Sequence, residues 1–193
     1  MTICPHPPVL DVVPNSDGIM ELVEPHLTFV NAGFGCSLMV LIDKGFRTDG
    51  ASVPTEWLHN SKLVDAACKV IAKKYPWMNS EEMLDFLIGT PFEMPRLLAA
   101  IVHDALYSYH WKWRILCDWI YKRILEDLRY DSTRLTIEHL GIRLMGGKNW
   151  DAVNKQEKME TRKLVTVKFI RTRNIDKEIR KLDEFFLKFA LAS

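Results

Sequence analysis

The first fifty residues of the chain alternate between short apolar stretches and turn-forming residues. The apolar stretches are "VLDVV", "IMELV", "LTFV" and "SLMVLI", and the turn "PNSDG" and a glycine-containing turn separate them. Short runs of branched and aromatic residues that are bounded by Gly, Pro, Asn and Asp are typical of strands joined by turns. The pattern therefore predicts a small antiparallel sheet or a set of β-hairpins.

From about Ser61 the apolar residues follow a helical period. "KLVDAACKVIAKKY" places them on one helical face, and "NSEEMLDFLIG" begins at a capping residue and closes on Gly89. Gly146 and Gly147 are expected to end the last helix of the series that follows. That series is predicted at about Pro95 to Tyr109, Lys112 to Tyr130 and Ser132 to Met145.

Residues 151–193 form a charged arm that ends in an amphipathic helix. Its apolar stripe is Ile175, Ile179, Leu182, Phe185, Phe186 and Phe189. Covering the domain's own core is the simplest role for this stripe, and docking on another subunit or on a membrane surface is the alternative. The predicted fold is α+β and mainly α, with one domain over residues 1–150. Within it, antiparallel β-hairpins occupy residues 1–55 and helices occupy residues 56–150.

Composition narrows the class of protein. The 193 residues are 48% hydrophobic, which is enough for one domain with a real core. With 26 basic and 25 acidic residues the net charge is +1, so no nucleic-acid partner is predicted. The N-terminus lacks the pattern of a signal peptide, so we expect synthesis as a soluble cytosolic product. The cysteines are far apart and are expected to be free thiols, most of them buried: Cys4, Cys36, Cys68 and Cys117.

The predicted helix "RLLAAIVHDALYSYH" carries an adjacent histidine and aspartate. On a helical wheel one face is apolar, whereas His103, Asp104 and Tyr107 share the other face with Ala99 and Ala100. Polar groups beside such small residues suit a site that a ligand can enter. The alternative is a structural pair that bonds to a neighbouring segment.

The next predicted helix offers a carboxylate partner, Asp118. Two helices joined by so short a link pack roughly antiparallel, which brings Asp118 within reach of both His103 and Tyr107. A carboxylate on one ring nitrogen fixes the tautomer that a histidine general base requires. A salt bridge to Arg114, one turn earlier, is the alternative role for Asp118.

Upstream, "KGFRTDGASVP" contains a single acidic side chain, Asp49, next to Gly50. Asp-Gly usually marks only a turn. A turn also exposes carbonyl oxygens, and calcium binds carboxylates together with carbonyls. If Asp49 and the carbonyl of Gly50 faced Asp104, they would form part of a calcium site.

The motifs "GFRTDGASVP", "AAIVHDALY", "WRILCDWIYKRIL" and "GIRLMGGKNW" together closely resemble an uncharacterised family of bacteriophage and prophage proteins. The resemblance covers roughly Lys44 to Trp150. Less directly, the order of the motifs resembles the secreted prokaryotic phospholipase A2 enzymes. That resemblance implies an antiparallel helix pair and calcium held by Asp49, the carbonyl of Gly50 and Asp104.

The same resemblance implies the catalytic roles. His103 would be the general base, Asp118 its orienting partner and Tyr107 a hydrogen-bond donor to Asp118. The chain departs from the phospholipases in two respects, because its cysteines do not match their disulfides and an insertion, roughly Glu56 to Ile88, separates the loop from the helix. This insertion would either shape a lipid channel or cover it.

The expected function is a phage-encoded, calcium-dependent ester hydrolase that acts on envelope phospholipid or another ester. Cytosolic calcium is too scarce for an ordinary extracellular site, with affinity of about 0.1 to 1 mM, so the protein is expected in the virion or at the host envelope. The alternative is a virion or tail structural or assembly protein that contacts other virion subunits or itself through its C-terminal helix. A third class, the helical metal-dependent phosphohydrolases, would use His59 as an upstream ligand to the His103–Asp104 pair.

Overall fold

The computed structural model describes residues 1–14, 19–49, 61–88 and 93–181. Five strands come first and helices dominate the rest, so the prediction of an α+β, mainly α fold is confirmed. None of the helices in the described ranges is long and apolar enough to cross a bilayer. In chain order the elements are β1 (Leu10–Val12), β2 (Met20–Leu22), β3 (His26–Gly33), β4 (Cys36–Ile42), β5 (Arg47–Thr48), α1 (Ser61–Lys74), α2 (Ser80–Ile88), α3 (Met94–Tyr109), α4 (Arg114–Asp127), α5 (Ser132–Ala152), α6 (Lys155–Leu164), β6 (Val165–Arg171), a 3-10 turn (Thr172–Asn174) and a helical stretch at 175–181.

The strands form two antiparallel sheets. Their orders are β1-β2-β5 and β3-β4-β6. The hairpin between β3 and β4 turns through Gly33, Phe34 and Gly35, all with positive φ (83°, 52° and 69°). Glycine adopts this left-handed backbone without steric cost, and the two glycines flank a fully exposed phenylalanine. The predicted N-terminal hairpins are therefore present.

Strand β6 was not predicted. It lies in the charged arm and pairs with β4 over its full length, from Cys36 opposite Arg171 to Ile42 opposite Val165. The alternation in "VTVKFIR" is the only local indication of a strand, and it is short. In the structure Val165 alone among these residues is buried. The arm thus contributes the third strand of a sheet whose other members lie near the N-terminus.

Strands β3 and β4 are covered on both faces, whereas most residues of β6 are exposed or half-buried. One face packs on α3 and α4 in the main core, through Val30, Leu38, Val40 and Ile42. On the other face Leu27, Phe29 and Met39 pack around Ile175, which is 4% exposed. The described start of the C-terminal helix therefore covers the domain's own sheet, as the simplest interpretation of its apolar stripe expects. The remaining members of that stripe, from Leu182 onwards, lie outside the described residues.

Helices α3 and α4 form the predicted antiparallel pair. The chain reverses through His110 and Lys112, which have φ values of 57° and 53°. The Trp111 amide donates to the carbonyl of Leu106 at 3.0 Å, a bond that closes the end of α3. The reversal returns the chain along α3 and brings side chains of the two helices face to face.

Helix α5 continues through Gly146 and Gly147 to Ala152, so the predicted stop at these glycines is wrong. The Asp131 side chain caps its start by accepting hydrogen bonds from the amides of Thr133 and Arg134 at 2.9 and 3.0 Å. A Cβ on Gly146 would lie 2.7 Å from the Tyr107 hydroxyl oxygen. Tertiary packing therefore explains this glycine, and local helix propensity does not.

All four cysteines are free thiols, as predicted, but most are not buried. Cys117 alone is buried, and the others are half-buried. Burial, with a contribution from the charge of Asp118, raises the pKa of the Cys117 thiol to about 12. A thiol in this state is a packing group, because the reactive form is the thiolate.

His26 should make the fold sensitive to acid. It is 2% exposed, and its Nε2 lies 2.8 Å from the Thr28 hydroxyl. Burial, together with the charge of His6, lowers the pKa of His26 to about 4, whereas an unfolded histidine has a pKa of about 6.5. The fold thus favours the neutral ring, so this stabilisation is complete above pH 6.5 and is lost as pH falls towards 4.

We expect this group to lower the free energy of unfolding by about 3 kcal/mol between about pH 7 and pH 4. Urea denaturation of the wild type and His26→Gln across that range measures the effect. The difference in the free energy of unfolding between the wild type and the variant should shrink as pH falls, because the variant has no imidazole at position 26 to protonate. Curves that run parallel would contradict the prediction.

Candidate functional site

Helix α3 carries three of the predicted site residues but is buried on both faces. Ala99 and Ala100 are 0% and 4% exposed, so the predicted room for a ligand beside them is wrong. The helix packs against strand β4 on one side and against α4 on another, which explains the burial. The small side chains permit close packing here, as small residues in a dense interior do.

Asp118 on α4 is the centre of the site and has no solvent exposure. Its Oδ1 lies 3.2 Å from His103 Nε2 and accepts a hydrogen bond from the Tyr107 hydroxyl. Its Oδ2 accepts from Arg143 Nη1 at 3.3 Å. The alternative partner, Arg114, is 3.9 Å from Oδ2 and donates mainly to the carbonyl of Arg143 at 3.1 and 3.2 Å. The structure thus brings together the three residues that the sequence predicts as the catalytic set.

The contact with Asp118 assigns the tautomer of His103. An ionised carboxylate can only accept, so the ring nitrogen that faces it carries the hydrogen. In the neutral ring the lone pair is then on Nδ1, which lies 3.7 Å from Asp104 Oδ1. One nitrogen of the imidazole therefore contacts a fully buried carboxylate, and the other lies beside the partly exposed Asp104.

The charges of the site reinforce one another. Burial by itself would lower the pKa of His103, but the carboxylates of Asp104 and Asp118 stabilise the imidazolium and outweigh burial, so the pKa is raised. Burial would raise the pKa of Asp118, but the His103 and Tyr107 hydrogen bonds and nearby positive charges lower it. Burial and the adjacent carboxylate raise the pKa of Tyr107, which keeps its phenol protonated as a donor.

Strand β5, which lies in the upstream stretch "KGFRTDGASVP", meets α3 at Asp104. Thr48 Oγ1 donates to Asp104 Oδ2 at 2.5 Å, and the next residue, Asp49, is exposed. Gly50 lies outside the described residues, so the arrangement of its carbonyl stays a prediction. The Asp104 side chain is 29% exposed, and carboxylates with partial access to water have the donor chemistry that calcium prefers.

Within residues 1–14, 19–49, 61–88 and 93–181, no three His, Cys, Asp or Glu side chains form a metal-binding group. The calcium site that the resemblance implies has two carboxylates and one backbone carbonyl, so it contains fewer than three such side chains. His59, the upstream ligand of the phosphohydrolase alternative, lies outside the described residues. The described part of the insertion packs on α5, where Ala67 and Ile71 contact Ile137.

Two residues that contact the site, Arg143 and Trp150, are not predicted from the sequence. Arg143 contacts Asp118, and Trp150 packs edge-on against Tyr107 with ring centroids 5.1 Å apart. Both lie in the stretch "GIRLMGGKNW", which contributes to the resemblance but gives no local indication of chemistry. Their role depends on how α5 packs against α3 and α4, and helical periodicity alone does not specify that packing.

Comparison with known proteins adds no identification. No protein family, curated protein or solved structure matches the chain. The chemistry of the site is therefore inferred from its own geometry: a buried carboxylate, an imidazole with its basic nitrogen turned away from it, and a second carboxylate beside that nitrogen.

The coupling between Asp118 and His103 can be measured in the metal-free protein. We expect the His103 pKa to lie above about 6.5 in the wild type. It should fall in Asp118→Asn, because the amide supports the imidazolium less well. A histidine titration followed by NMR gives both values. Asp127→Asn is the matched control, since Asp127 lies on the same helix but pairs with Arg123 and Thr2. An unchanged His103 pKa in Asp118→Asn would contradict the coupling.

Proposed function

We propose that this chain is a phage-encoded, calcium-dependent ester hydrolase that resembles phospholipase A2 and acts on envelope phospholipid. Support comes chiefly from the two sides of the His103 ring. Nε2 lies 3.2 Å from a fully buried carboxylate, and Nδ1 is directed towards a carboxylate that is 29% exposed. A histidine general base needs this asymmetry, with one nitrogen fixed and the other available to water.

In the proposed reaction His103 Nδ1 takes a proton from a water molecule. The water oxygen forms a bond to the ester carbonyl carbon, and the carbonyl electrons move to its oxygen. Asp118 stabilises the imidazolium that results, and Tyr107 and Arg143 stabilise Asp118. When the intermediate collapses, the ester C–O bond breaks and the imidazolium returns the proton to the departing oxygen. The products are a carboxylic acid and an alcohol.

Asp104 and Asp49, with the carbonyl of Gly50, would hold the calcium ion. A bound calcium ion supplies positive charge that stabilises the negative oxygen formed during attack. The Thr48 hydroxyl already bonds one oxygen of Asp104, which fixes the carboxylate at the point where loop and helix meet. Because a site of this kind fills at about 0.1 to 1 mM calcium, we assign the activity to the virion or the host envelope.

Calcium binding is the first requirement, and titration calorimetry measures it. We expect the wild type to bind with a Kd of about 0.1 to 1 mM, and Asp104→Asn and Asp49→Asn to bind at least about tenfold more weakly, because each loses a charged ligand. Asp11→Asn, which changes an exposed carboxylate on β1, is the control. No binding by the wild type at millimolar calcium would overturn the proposal.

Hydrolysis is tested by the release of fatty acid from phospholipid vesicles in the presence of calcium. We expect His103→Gln to lower the rate by about 100-fold or more, the usual contribution of a general base. His139→Gln, a half-buried histidine on α5, should retain the wild-type rate. Equal rates for the wild type and His103→Gln would exclude the mechanism.

The burial of the site favours one other candidate. His103 is 9% exposed and Asp118 is 0% exposed, values that also suit a polar network that holds helices together. The second proposal is therefore a virion or tail assembly protein that keeps this arrangement without catalysis. Calcium binding that raises the melting temperature, without release of fatty acid from any vesicle composition, would favour this candidate.

A further inference from the structure

Helix α5 presents one face to the catalytic set. Arg143, Gly146 and Trp150 are spaced as neighbours on that face. Arg143 donates to Asp118 Oδ2 at 3.3 Å, and Trp150 packs edge-on against the Tyr107 ring. Gly146 lies between them along the helix. A Cβ on Gly146 would lie 2.7 Å from the Tyr107 hydroxyl oxygen, much closer than a normal contact.

We propose that Gly146 is a positioning residue that allows the Tyr107 hydroxyl to lie between α5 and Asp118. The catalytic consequence rests on the proposed hydrolase function, whereas the positioning itself does not. A glycine in a helix interior is less favourable than alanine, so its presence here calls for a tertiary reason. The space that it leaves is filled by the hydroxyl group that bonds Asp118.

A methyl group at position 146 has two ways to relieve the contact, and both disturb Asp118. The Tyr107 ring could move, but it is 6% exposed and lies against His103, with ring centroids 4.0 Å apart, and against Trp150. Alternatively α5 could move away, which would pull Arg143 from Asp118 Oδ2. Either movement removes one partner of a buried carboxylate.

The neighbouring Gly147 provides a matched control. It has the same helical setting, but a Cβ there would meet only Arg114 Nη1, at 4.0 Å, which is an ordinary contact. Gly147→Ala therefore tests the effect of a helical glycine without the Tyr107 contact. Tyr107→Phe provides the complementary control, because it removes the oxygen that the new methyl group would strike.

The experiment compares the wild type, Gly146→Ala, Gly147→Ala, Tyr107→Phe and the Gly146→Ala/Tyr107→Phe double variant in the full chain. We expect Gly146→Ala to lower the urea midpoint and Gly147→Ala to leave it unchanged or raise it. In the Tyr107→Phe background Gly146→Ala should no longer lower the midpoint. The double variant is expected to fold even if Gly146→Ala does not.

Two further measurements separate positioning from general destabilisation. The Tyr107 hydroxyl proton, assigned by its absence in Tyr107→Phe, should be detected by proton NMR in Gly147→Ala and lost in Gly146→Ala. On vesicles with calcium, Gly146→Ala should lower kcat about tenfold or more with little change in KM, and the double variant should match Tyr107→Phe.

The outcomes are distinguishable. Equal effects of the two glycine substitutions, or an undiminished effect of Gly146→Ala in the Tyr107→Phe background, would overturn the positioning role. If the wild type releases no fatty acid, the proposed hydrolase function fails, but the urea midpoints still decide whether Gly146 positions Tyr107.

Discussion

The helical half of the molecule depends on one buried negative charge. Asp118 has no solvent exposure, and a carboxylate so placed costs several kcal/mol unless charged and hydrogen-bonding groups surround it. Its partners come from three helices: His103 and Tyr107 from α3, Arg143 from α5, and Arg114 at a longer distance from α4 itself. Because the buried carboxylate is stabilised only when these partners surround it, it restricts how the three helices can pack.

A second polar cluster joins the same helices. Glu138 on α5 accepts hydrogen bonds from the Tyr121 and Tyr130 hydroxyls, both at 2.8 Å. Its Oε1 also lies 3.3 Å from Nε of Arg96, at the start of α3. The Tyr121 ring also packs edge-on against His103, with ring centroids 5.5 Å apart, so the two clusters are in direct contact. The hydrogen bonds to Glu138 hold the Tyr121 and Tyr130 side chains in place. The Tyr121 ring therefore supports the imidazole as well as belonging to the second cluster.

How much the sequence predicts depends on whether a feature is local. Periodicity and turn residues predict the N-terminal strands and the helices, and the short α3–α4 link is enough to bring Asp118 to His103. The helix end predicted at Gly146 is wrong, because glycine is read there only from its neighbours in the sequence. The Tyr107 hydroxyl, which leaves no space for a Cβ at position 146, comes from another helix. Strand β6 is missed for the same reason, since its partner β4 is far away in the sequence. The burial of Ala99 and Ala100 likewise follows from neighbours that the helical wheel does not contain.

The arrangement also determines from which side chemistry could take place. Nε2 of His103 faces the fully buried Asp118, and the Tyr107 and Tyr121 rings pack against the imidazole. Nδ1 lies beside Asp104, the more exposed of the two carboxylates, and Asp104 Oδ2 accepts a hydrogen bond from Thr48 of β5. In the proposed mechanism, the reacting water and the ester would therefore approach from the Asp104 side of the ring. A purely structural pair would have no need for this asymmetry, because it could be closed on both sides.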